Sequence, residues 1–376
     1  MLQETAAAAE DRAIFRSGLR DHISKRYSLE YARAEHDGKS KVNRASWQQL
    51  SRELDLLGLS LPIEFGGSGL SRAETALVFE EFGRALVPLP LLATVGLASE
   101  TILATGCDVA QRRYLPAIVA GDAIAAVAIA DAGCCLEESA ITSTAERVEE
   151  QDTWQLNGCK RLVLDATSAD VILVAARSNR GVSLFAVDPD QPGVRITRQH
   201  GIDPTRKPST LDLLDAKAEL VGEEGDAWPA IVRGLDISCV YLAAEMLGAA
   251  AFSVEQTVAY TTERIQFGQP IGSFQAVQHR CAGMYVQLEL ARSSLAAALD
   301  SFVGSSDLSL SVHASIAKVT CGDAFAAIAN DAVQIHGGAG FTWEHHAHLF
   351  LKRAKGDQYT LGTPSEHRRR IAHAVF

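Results

Sequence analysis

The stretch Arg264-Ile-Gln-Phe-Gly-Gln-Pro-Ile-Gly-Ser-Phe-Gln-Ala-Val-Gln-His279 is the most informative part of this sequence. Arg264 lies at the predicted C-terminal end of a long helix, where a cation complements the helix dipole. Gly268 and Pro270 predict a tight turn, and Phe274 continues an apolar stripe on the following helix. Spacing alone therefore predicts a capped helical hairpin at this point.

A second segment, Gln334-Ile-His-Gly-Gly-Ala-Gly340, places an amide and an imidazole just before a group of glycines. Backbone N–H groups exposed there can cradle an anion or approach a flat ligand closely. Taken singly, the segment is equally typical of a helix end followed by a loop.

Composition and charge exclude several classes of protein. The chain has 376 residues, enough for two or three domains, and its 35 basic against 46 acidic side chains give a net charge of −11. This balance argues against nucleic-acid binding, which needs clustered positive charge. No run of 18 apolar residues predicts a membrane span, and residues 1–20 lack the apolar core of a signal peptide. We expect a cytoplasmic protein.

The cysteines predict neither a zinc site nor a disulfide framework. No CxxC pair occurs, and Cys134 and Cys135 are adjacent. An odd number in a long chain without an export signal predicts reduced, mostly buried thiols.

The chain divides into three zones of different texture. Residues 1–122 carry apolar side chains at helical spacing, residues 123–222 carry short β-type runs, and residues 223–376 return to long helical patterns. This order predicts an α+β protein with an N-terminal helical domain, a middle antiparallel β-barrel or sandwich domain and a C-terminal four-helix bundle.

Individual elements follow from the same patterns. Turn residues such as Asn157-Gly158 separate the predicted strands, which are Ile124–Ala130, Trp154–Leu156, Arg161–Leu164, Val171–Ala175, Val182–Val187 and Val194–Thr197. The predicted helices include an Ala-rich one at Leu91–Thr105 and, in the last zone, 226–262, 274–302, 308–337, 344–356 and 364–374.

Together and in this order, these segments resemble the acyl-CoA dehydrogenase family over nearly the whole chain. The stretch from Trp47 to Gly69 resembles the family's helix and Pro-x-x-x-Gly-Gly loop, and Leu156 to Lys160 resembles one of its β-strands. The Arg264–His279 and Gln334–Gly340 segments are the most specific signatures.

The resemblance implies FAD-dependent removal of hydrogens from Cα and Cβ of an acyl-CoA thioester, with a carboxylate taking the α-proton while hydride passes to flavin N5. It implies an electron-accepting flavoprotein as a partner, and dimers of dimers in which each FAD site is shared between chains. The residues that would contact the flavin's diphosphate and adenosine from a neighbouring subunit are Arg264, Phe267, Gln275, Gln334, Ile335, His336, Gly337 and Gly338.

Both usual positions of the catalytic base depart from the family pattern. The family's glutamate directly precedes a Gly-Thr pair, and in Tyr359-Thr-Leu-Gly-Thr363 that position is Leu361. Some members carry the base on an earlier helix, at a position that aligns with Ser238. Leucine has no basic atom, and a neutral hydroxyl without a partner is too weakly basic to take an α-proton.

The middle zone departs as well. The family's Thr-Glu-Pro-x-x-Gly-Ser-Asp stretch, which holds the flavin ring, reads here Ala130-Asp-Ala-Gly-Cys-Cys-Leu-Glu-Glu-Ser139. Its Trp-x-Thr contact reads Leu162-Val163-Leu164. The half-site that a chain offers its own flavin is therefore degraded, whereas the half-site offered to a neighbour is intact.

One hypothesis makes this chain a subunit of an α2β2 acyl-CoA dehydrogenase, in which a paralogous partner brings the base and this chain completes the partner's FAD site. It is similar to the non-catalytic chains of bacterial dehydrogenases that act on CoA-linked sterol side chains. A hypothesis of another class makes it a scaffold or binding protein without chemistry.

A further hypothesis keeps the chain as a self-sufficient homotetramer with a relocated base. Glu245 is the best-placed candidate, because it lies seven residues after Ser238 and near the same helix face. A structural role at a helix or subunit interface is the more frequent one for such a carboxylate. The other candidates are Asp236, Glu344 and Asp357.

Two further clusters attract attention. Trp343-Glu-His-His-Ala-His348 puts His345 and His348 on one helical face, yet no carboxylate-rich counterpart accompanies them, so a surface or subunit contact is predicted and no metal site. The run Arg368–Arg370 predicts pairing with acidic neighbours or with the last helix's C-terminus.

Overall fold

The computed structural model describes residues 6–39, 44–133, 135–148, 153–303 and 307–376. They form two compact units: one from the described residues within 1–41, 72–88 and 239–376, the other from those within 42–71 and 89–238. Cys134 lies outside the described residues. The domain boundaries after residues 122 and 222 stay predictions.

The first unit is helical. Its elements are α1 (Ala6–Arg26), α2 (Leu29–His36), α4 (Arg72–Ala85), the second part of α7 (Trp228–Glu263), α8 (Gln275–Asp300), α9 (Asp307–His336), α10 (Gly338–Phe341), α11 (Ala347–Tyr359), α12 (Pro364–Val375) and a hairpin of β8 (Ile265–Gln266) and β9 (Gln269–Pro270). Helix α9 packs against α8, α11 and α12. The long helices predicted from apolar periodicity are all present, and the one expected at 344–356 begins and ends three residues later.

Arginines spaced four residues apart attach α1 to α4. Arg12 pairs with Glu74 at 2.7 Å, Arg16 with Glu80 at 2.5 Å and Arg20 with Glu81 at 2.6 Å. Spacing of four places the three guanidinium groups on one face of α1. Beside them Leu19 and Ile23 are buried.

Helices α4 and α7 approach so closely that only glycine fits at the crossing. A Cβ on Gly83 would lie 1.9 Å from the carbonyl oxygen of Glu245, and a Cβ on Gly248 would lie 1.8 Å from that of Glu80. Backbone atoms cannot yield as a flexible side chain can, so these glycines fix the spacing of the two helices.

The second unit combines short helices with a β-barrel. Its helices are α3 (Arg44–Leu54), α5 (Glu100–Ala104), α6 (Asp108–Val119) and the first part of α7. Its strands are β1 (Ala125–Ala128), β2 (Thr144–Val148), β3 (Thr153–Leu164), β4 (Val171–Ser178), β5 (Gly181–Val187), β6 (Val194–Arg198) and β7 (Pro208–Val221).

Strand pairing closes the barrel. The order β4-β2-β3-β7-β5 returns to β4, because β5 pairs with both β7 and β4. Most pairs are antiparallel, whereas β1 joins β4 in parallel, with Ala125 opposite Val171. Inward side chains such as Trp154, Ile172 and Phe185 fill the interior.

The turn predicted in this unit at Asn157-Gly158 was wrong, and one predicted helix is present but differs in type. Asn157-Gly158 is not a turn between strands, because both residues lie inside β3 at a register shift. Gly158 is needed for close approach instead, since a Cβ there would lie 2.3 Å from the hydroxyl oxygen of Ser143. The helix expected at Leu91–Thr105 begins as a π-helix at Leu92–Ser99 and becomes α-helical only at Glu100.

Helix α7 is long and apolar enough to span a membrane by its length and composition alone. However, 94% of its most apolar 18-residue window is buried inside the protein. Burial of this extent is what the core helix of a folded domain shows.

We expect Gly248→Ala to destabilise the protein by at least ~3 kcal/mol, because the new methyl group meets a backbone carbonyl of α4. The matched control is Gly283→Ala on α8, where a Cβ meets nothing within 4 Å and helix propensity improves by up to ~1 kcal/mol. Urea unfolding of both variants measures the difference. Equal midpoints for the two variants would contradict this account of the crossing.

Candidate cofactor and active site

The turn after α7 presents its side chains to solvent. The backbone N–H of Arg264 donates to the carbonyl of Tyr260 at 2.9 Å, and that of Ile271 donates to the carbonyl of Arg264 at 2.8 Å. Phe267 and Gly268 both have positive φ, 53° and 81°, as a two-residue hairpin turn requires. The left-handed conformation costs a bulky residue ~1–3 kcal/mol.

Phe267 is 92% exposed although its backbone is strained. Its ring makes an edge contact with Phe274 at a centroid distance of 6.2 Å. Arg264 and Gln275 are also exposed, and among the described residues no carboxylate pairs with Arg264. An exposed aromatic ring beside a free cation is typical of a surface that receives a ligand or another chain.

The glycine-rich segment after α9 is open on its outer side. Gln334 is exposed, Gly337 has a φ of 60°, and a Cβ added to Gly337 or Gly338 would meet nothing within 4 Å. Ile335 is half-buried. Internal packing therefore does not demand these glycines, and the outer face of the segment is open, although the N–H of Gly337 already donates to the carbonyl of Gln334 at 3.2 Å.

His336 differs from its predicted neighbours. The residue is only 5% exposed, and its imidazole faces inward because Nδ1 donates to the carbonyl of Ala332 at 2.7 Å. The side chain of His336 therefore packs inside the protein and is not part of the exposed surface that Gln334, Gly337 and Gly338 form.

The loop with Leu361 is held through its backbone. Lys318 is 1% exposed, and its Nζ donates to the carbonyls of Gln358 and Gly362 at 2.5 Å each. Nε2 of His367 donates to the carbonyl of Leu361 at 2.9 Å. Leu361 itself is left-handed, with a φ of 57°, and offers no proton acceptor on its side chain.

Ser238 is fully buried, and its hydroxyl donates to the carbonyl of Gly234 at 2.7 Å. This bond within the helix uses the hydroxyl hydrogen. Nothing in this geometry activates the oxygen as a base.

The relocated-base candidates occupy different environments. Glu245 forms a buried ion pair with Arg353, whose side chain is 1% exposed. The carboxylate is thus engaged in a contact between α7 and α11. Asp236 and Asp357 are buried and Glu344 is exposed. Glu245 thus has the structural role at a helix interface, because its ion pair joins α7 to α11.

A buried pair organises the segment that holds the flavin ring in the family. Nζ of Lys160 lies 2.8 Å from Oδ1 of Asp131, which also accepts from the hydroxyl of Ser143. Burial alone would raise the pKa of Asp131, but Lys160 and the hydrogen bonds from Ser143 and Thr142 hold it below the ordinary value, and burial lowers the pKa of Lys160. These contacts anchor Asp131 to strand β3 and to the residues just before strand β2.

The side chains that this framework presents are apolar. Leu162 sits in a second register shift of β3 with a φ of 55° and is 47% exposed, and Leu164 is buried. Neither side chain can donate a hydrogen bond to a flavin.

The histidine and arginine clusters make contacts within the protein. The ring of His348 stacks on that of Trp343 at 4.8 Å, and Arg368 pairs with Asp323. Among the described residues, no group of three His, Cys, Asp or Glu side chains could hold a metal ion.

Comparison with known proteins decides the family. The N-terminal, middle and C-terminal domains of acyl-CoA dehydrogenases match residues 9–122, 126–212 and 225–376. This chain belongs to the acyl-CoA dehydrogenase family. The family and the fold class predicted from the sequence are confirmed.

Individual relatives cover the whole chain. It is 33% identical to acyl-CoA dehydrogenase IpdE2 of Mycolicibacterium smegmatis, over 98% of this chain and 100% of that protein. It resembles a chain of the solved Tcur3481-Tcur3483 steroid ACAD with a TM-score of 0.86 and 29% identity, over 98% of both chains. A chain from the structure of the electron transferring flavoprotein of Acidaminococcus fermentans gives a TM-score of 0.90 at 26% identity, covering 100% of this chain and 99% of that one.

Members of this family are FAD-dependent flavoproteins that dehydrogenate acyl-CoA thioesters. The exposed guanidinium of Arg264, the amides of Gln275 and Gln334, and the open backbone at Gly337 and Gly338 fit the diphosphate and adenosine of FAD. The FAD would supply hydride acceptance when bound.

Several contacts near the candidate site could not be predicted from the sequence. Lys318 and His367 act on the Leu361 loop, and Lys160 pairs with Asp131, but each partner is distant in sequence. A lysine in an apolar helical stretch is the one available signal for Lys318, since buried lysines need specific partners.

Glu245→Gln is expected to destabilise the protein by ~3–5 kcal/mol, because it leaves the charge of buried Arg353 without this carboxylate. Glu344→Gln, at an exposed position, is the matched control and should change little. Urea unfolding checks both. If Glu245 contributed nothing to the stability of the fold, Glu245→Gln would unfold at the same urea concentration as the Glu344→Gln control.

Acid should destabilise this protein between about pH 6.5 and pH 4. Burial, assisted by the charge of Lys318, lowers the pKa of His367 to about 4, and burial with the charge of Lys352 does the same for His348. Between these pH values the unfolded chain binds more protons than the folded one, so the free energy of unfolding falls as pH falls.

The check is the free energy of unfolding at pH 7.5 and pH 5. His367→Gln should reduce the pH dependence, whereas His373→Gln, at an exposed position of α12, should leave it unchanged. An identical pH profile for wild type and His367→Gln would refute the assignment.

Proposed function

We propose that this chain is the non-catalytic subunit of a heterotetrameric acyl-CoA dehydrogenase, in which it completes a paralogous partner's FAD site without supplying the base. The observation that carries the proposal is the contrast between two half-sites. The groups facing a neighbour are polar and exposed, Arg264 and Gln334 among them, whereas Leu162 and Leu164 stand where the chain's own flavin needs donors.

The base positions support the same assignment. Leu361 is apolar, and the hydroxyl of Ser238 is engaged by Gly234. Glu245 is bound to Arg353. Proton abstraction from Cα would then fall to the partner chain, while this chain binds and orients.

Arg264 is the centre of this binding role. Its planar guanidinium can make paired, charge-assisted hydrogen bonds to a diphosphate. It lies at the C-terminal end of α7, directly before the hairpin with exposed Phe267. We infer that Phe267 packs against the neighbouring chain, which would remove its large apolar surface from water.

The substrate class is inferred from a relative. The Tcur3481-Tcur3483 protein is a steroid ACAD, and its two-part designation suits an assembly of two different chains. We infer a steroid-derived acyl-CoA as the substrate of the assembly, an electron transferring flavoprotein as its oxidant and the cytoplasm as its location.

The experiment is purification of the chain alone and together with the products of the adjacent genes, followed by native mass spectrometry and flavin measurement. We expect no stoichiometric FAD and no turnover for the chain alone, and one FAD per two chains in the complex. One FAD per chain with turnover would instead establish a self-sufficient homotetramer. Absence of FAD even in the complex would establish a scaffold.

A pair of variants tests the assigned half-site in the same complex. Arg264→Gln should weaken FAD binding about 10- to 100-fold, the scale of charge-assisted hydrogen bonds. Arg292→Gln removes an exposed arginine that pairs with Glu289 on α8 and should leave FAD affinity unchanged. Equal affinities for the two variants would remove Arg264 from the site.

A further inference from the structure

Three rings stack on one another behind the two exposed cofactor segments. Tyr260 belongs to α7, His336 ends α9, and His345 precedes α11. The centroids of Tyr260 and His336 are 4.3 Å apart with an interplanar angle of 28°, and those of His336 and His345 are also 4.3 Å apart, at 44°. We call these three residues the ring stack.

Two members of the ring stack, Tyr260 at one end and His336 in the middle, are each attached to one of the segments. The carbonyl of Tyr260 accepts the backbone N–H of Arg264 at 2.9 Å, so the position of Tyr260 sets the start of the hairpin. His336 directly precedes Gly337, whose N–H donates to the carbonyl of Gln334 at 3.2 Å. Two segments separated by some 60 residues of sequence are thereby joined through side chains.

Hydrogen bonds fix the proton positions on both imidazoles. The partner of His336 Nδ1 is the carbonyl of Ala332, which can only accept, so Nδ1 carries a hydrogen. The partner of His345 Nδ1 is the N–H of Ala347, the first residue of α11, so this nitrogen must be free of hydrogen. Protonation of His345 at Nδ1 would remove that bond.

The surroundings oppose positive charge on the stack. His345 faces His336, His346 and Arg33, and Arg33 in turn contacts Nδ1 of His346 at 3.1 Å. The carboxylate of Glu30 lies 3.8 Å from Nε2 of the adjacent His346. Burial, followed by the neighbouring His336, lowers the pKa of His345 to about 4, and burial lowers that of His336. Two neutral rings can stack in van der Waals contact, whereas two imidazolium rings would repel.

We propose that the ring stack is the positioning element of the neighbour-facing half-site: it holds the hairpin of Arg264 and the glycine segment of Gly337 in one fixed geometry. His336 and His345 are positioning residues that act through the backbone and make no contact with the ligand. Only the identity of that ligand, FAD, rests on the proposed function.

Hydrogen–deuterium exchange of the full chain without cofactor tests the coupling. His345→Ala removes one ring and the Ala347 bond. We expect exchange to rise about 3- to 10-fold in two separate regions, 264–272 and 334–342, the scale of one lost aromatic pair. His345→Phe keeps a ring and should restore most of the protection at 264–272.

The matched control is His348→Ala, a buried histidine of the same cluster whose ring stacks on Trp343. It should raise exchange near Trp343 and leave 264–272 unchanged. If His345→Ala alters only the residues around it and not 264–272, the two segments are uncoupled and the proposal fails. If both variants alter 264–272 equally, the effect is general loosening and the proposal fails as well.

The pH profile separates positioning from simple packing. After correction for intrinsic exchange rates, the wild type should lose protection in both regions between about pH 6 and pH 4. The double variant His336→Phe/His345→Phe should not. If the double variant shows the same pH profile as the wild type, the proposal is overturned. If hydrogen exchange behaves as expected but the wild-type complex binds no FAD, only the proposed function fails.

Discussion

The buried ion pair between Glu245 and Arg353 is the contact on which the helical unit depends, because it joins α7 to α11. Helix α7 leads directly to Arg264, and α11 leads to the loop of Leu361. Two charges removed from water are tolerated only when each satisfies the other, so the relative position of these helices has little freedom. On the α4 side of α7, Gly83 and Gly248 fix the spacing by excluding any side chain.

This constraint explains why the candidate base on α7 is structural. A general base must have a proton affinity near that of the medium, which burial without a cation would provide. Glu245 instead uses its carboxylate to bind Arg353 where the two helices meet. The position that best resembled a relocated base is therefore occupied by a residue that joins α7 to α11.

The sequence allowed the helical parts to be predicted well and the barrel less so. Long runs of apolar residues at helical spacing and their terminating residues mark α7 to α9, and glycine with proline marks the hairpin after Arg264. Strand β7 was missed because Asp212, Asp215 and Lys217 interrupt any apolar alternation, although they lie on a strand that pairs on both sides. Gly158 was misread because glycine serves equally in turns and in close contacts, and only the position of Ser143 distinguishes the two.

The candidate site could be predicted from the sequence where its residues are neighbours in the chain and not where they are distant. Arg264 and the glycines after α9 belong to short motifs, so their exposed position could be anticipated, and their role in binding FAD stays a prediction. The inward orientation of His336 could not, because it depends on Tyr260 and His345, which approach it from other helices. Lys318 likewise reaches its carbonyl partners across 40 and 44 residues.

The loop of Leu361 is held without any demand on the side chain at that position. Lys318, His367 and the capping box of Thr363 with Glu366 all bind backbone groups of the loop or of the helix start, and none of them requires a particular side chain at position 361. The left-handed backbone there is imposed from outside, at a cost of ~1–3 kcal/mol for a non-glycine residue. Leu162 repeats the pattern in the barrel, where a register shift of β3 imposes positive φ on an exposed leucine. In both places the scaffold specifies the backbone geometry and leaves the side chain open, so residues of different chemistry fit there while the surrounding structure stays the same.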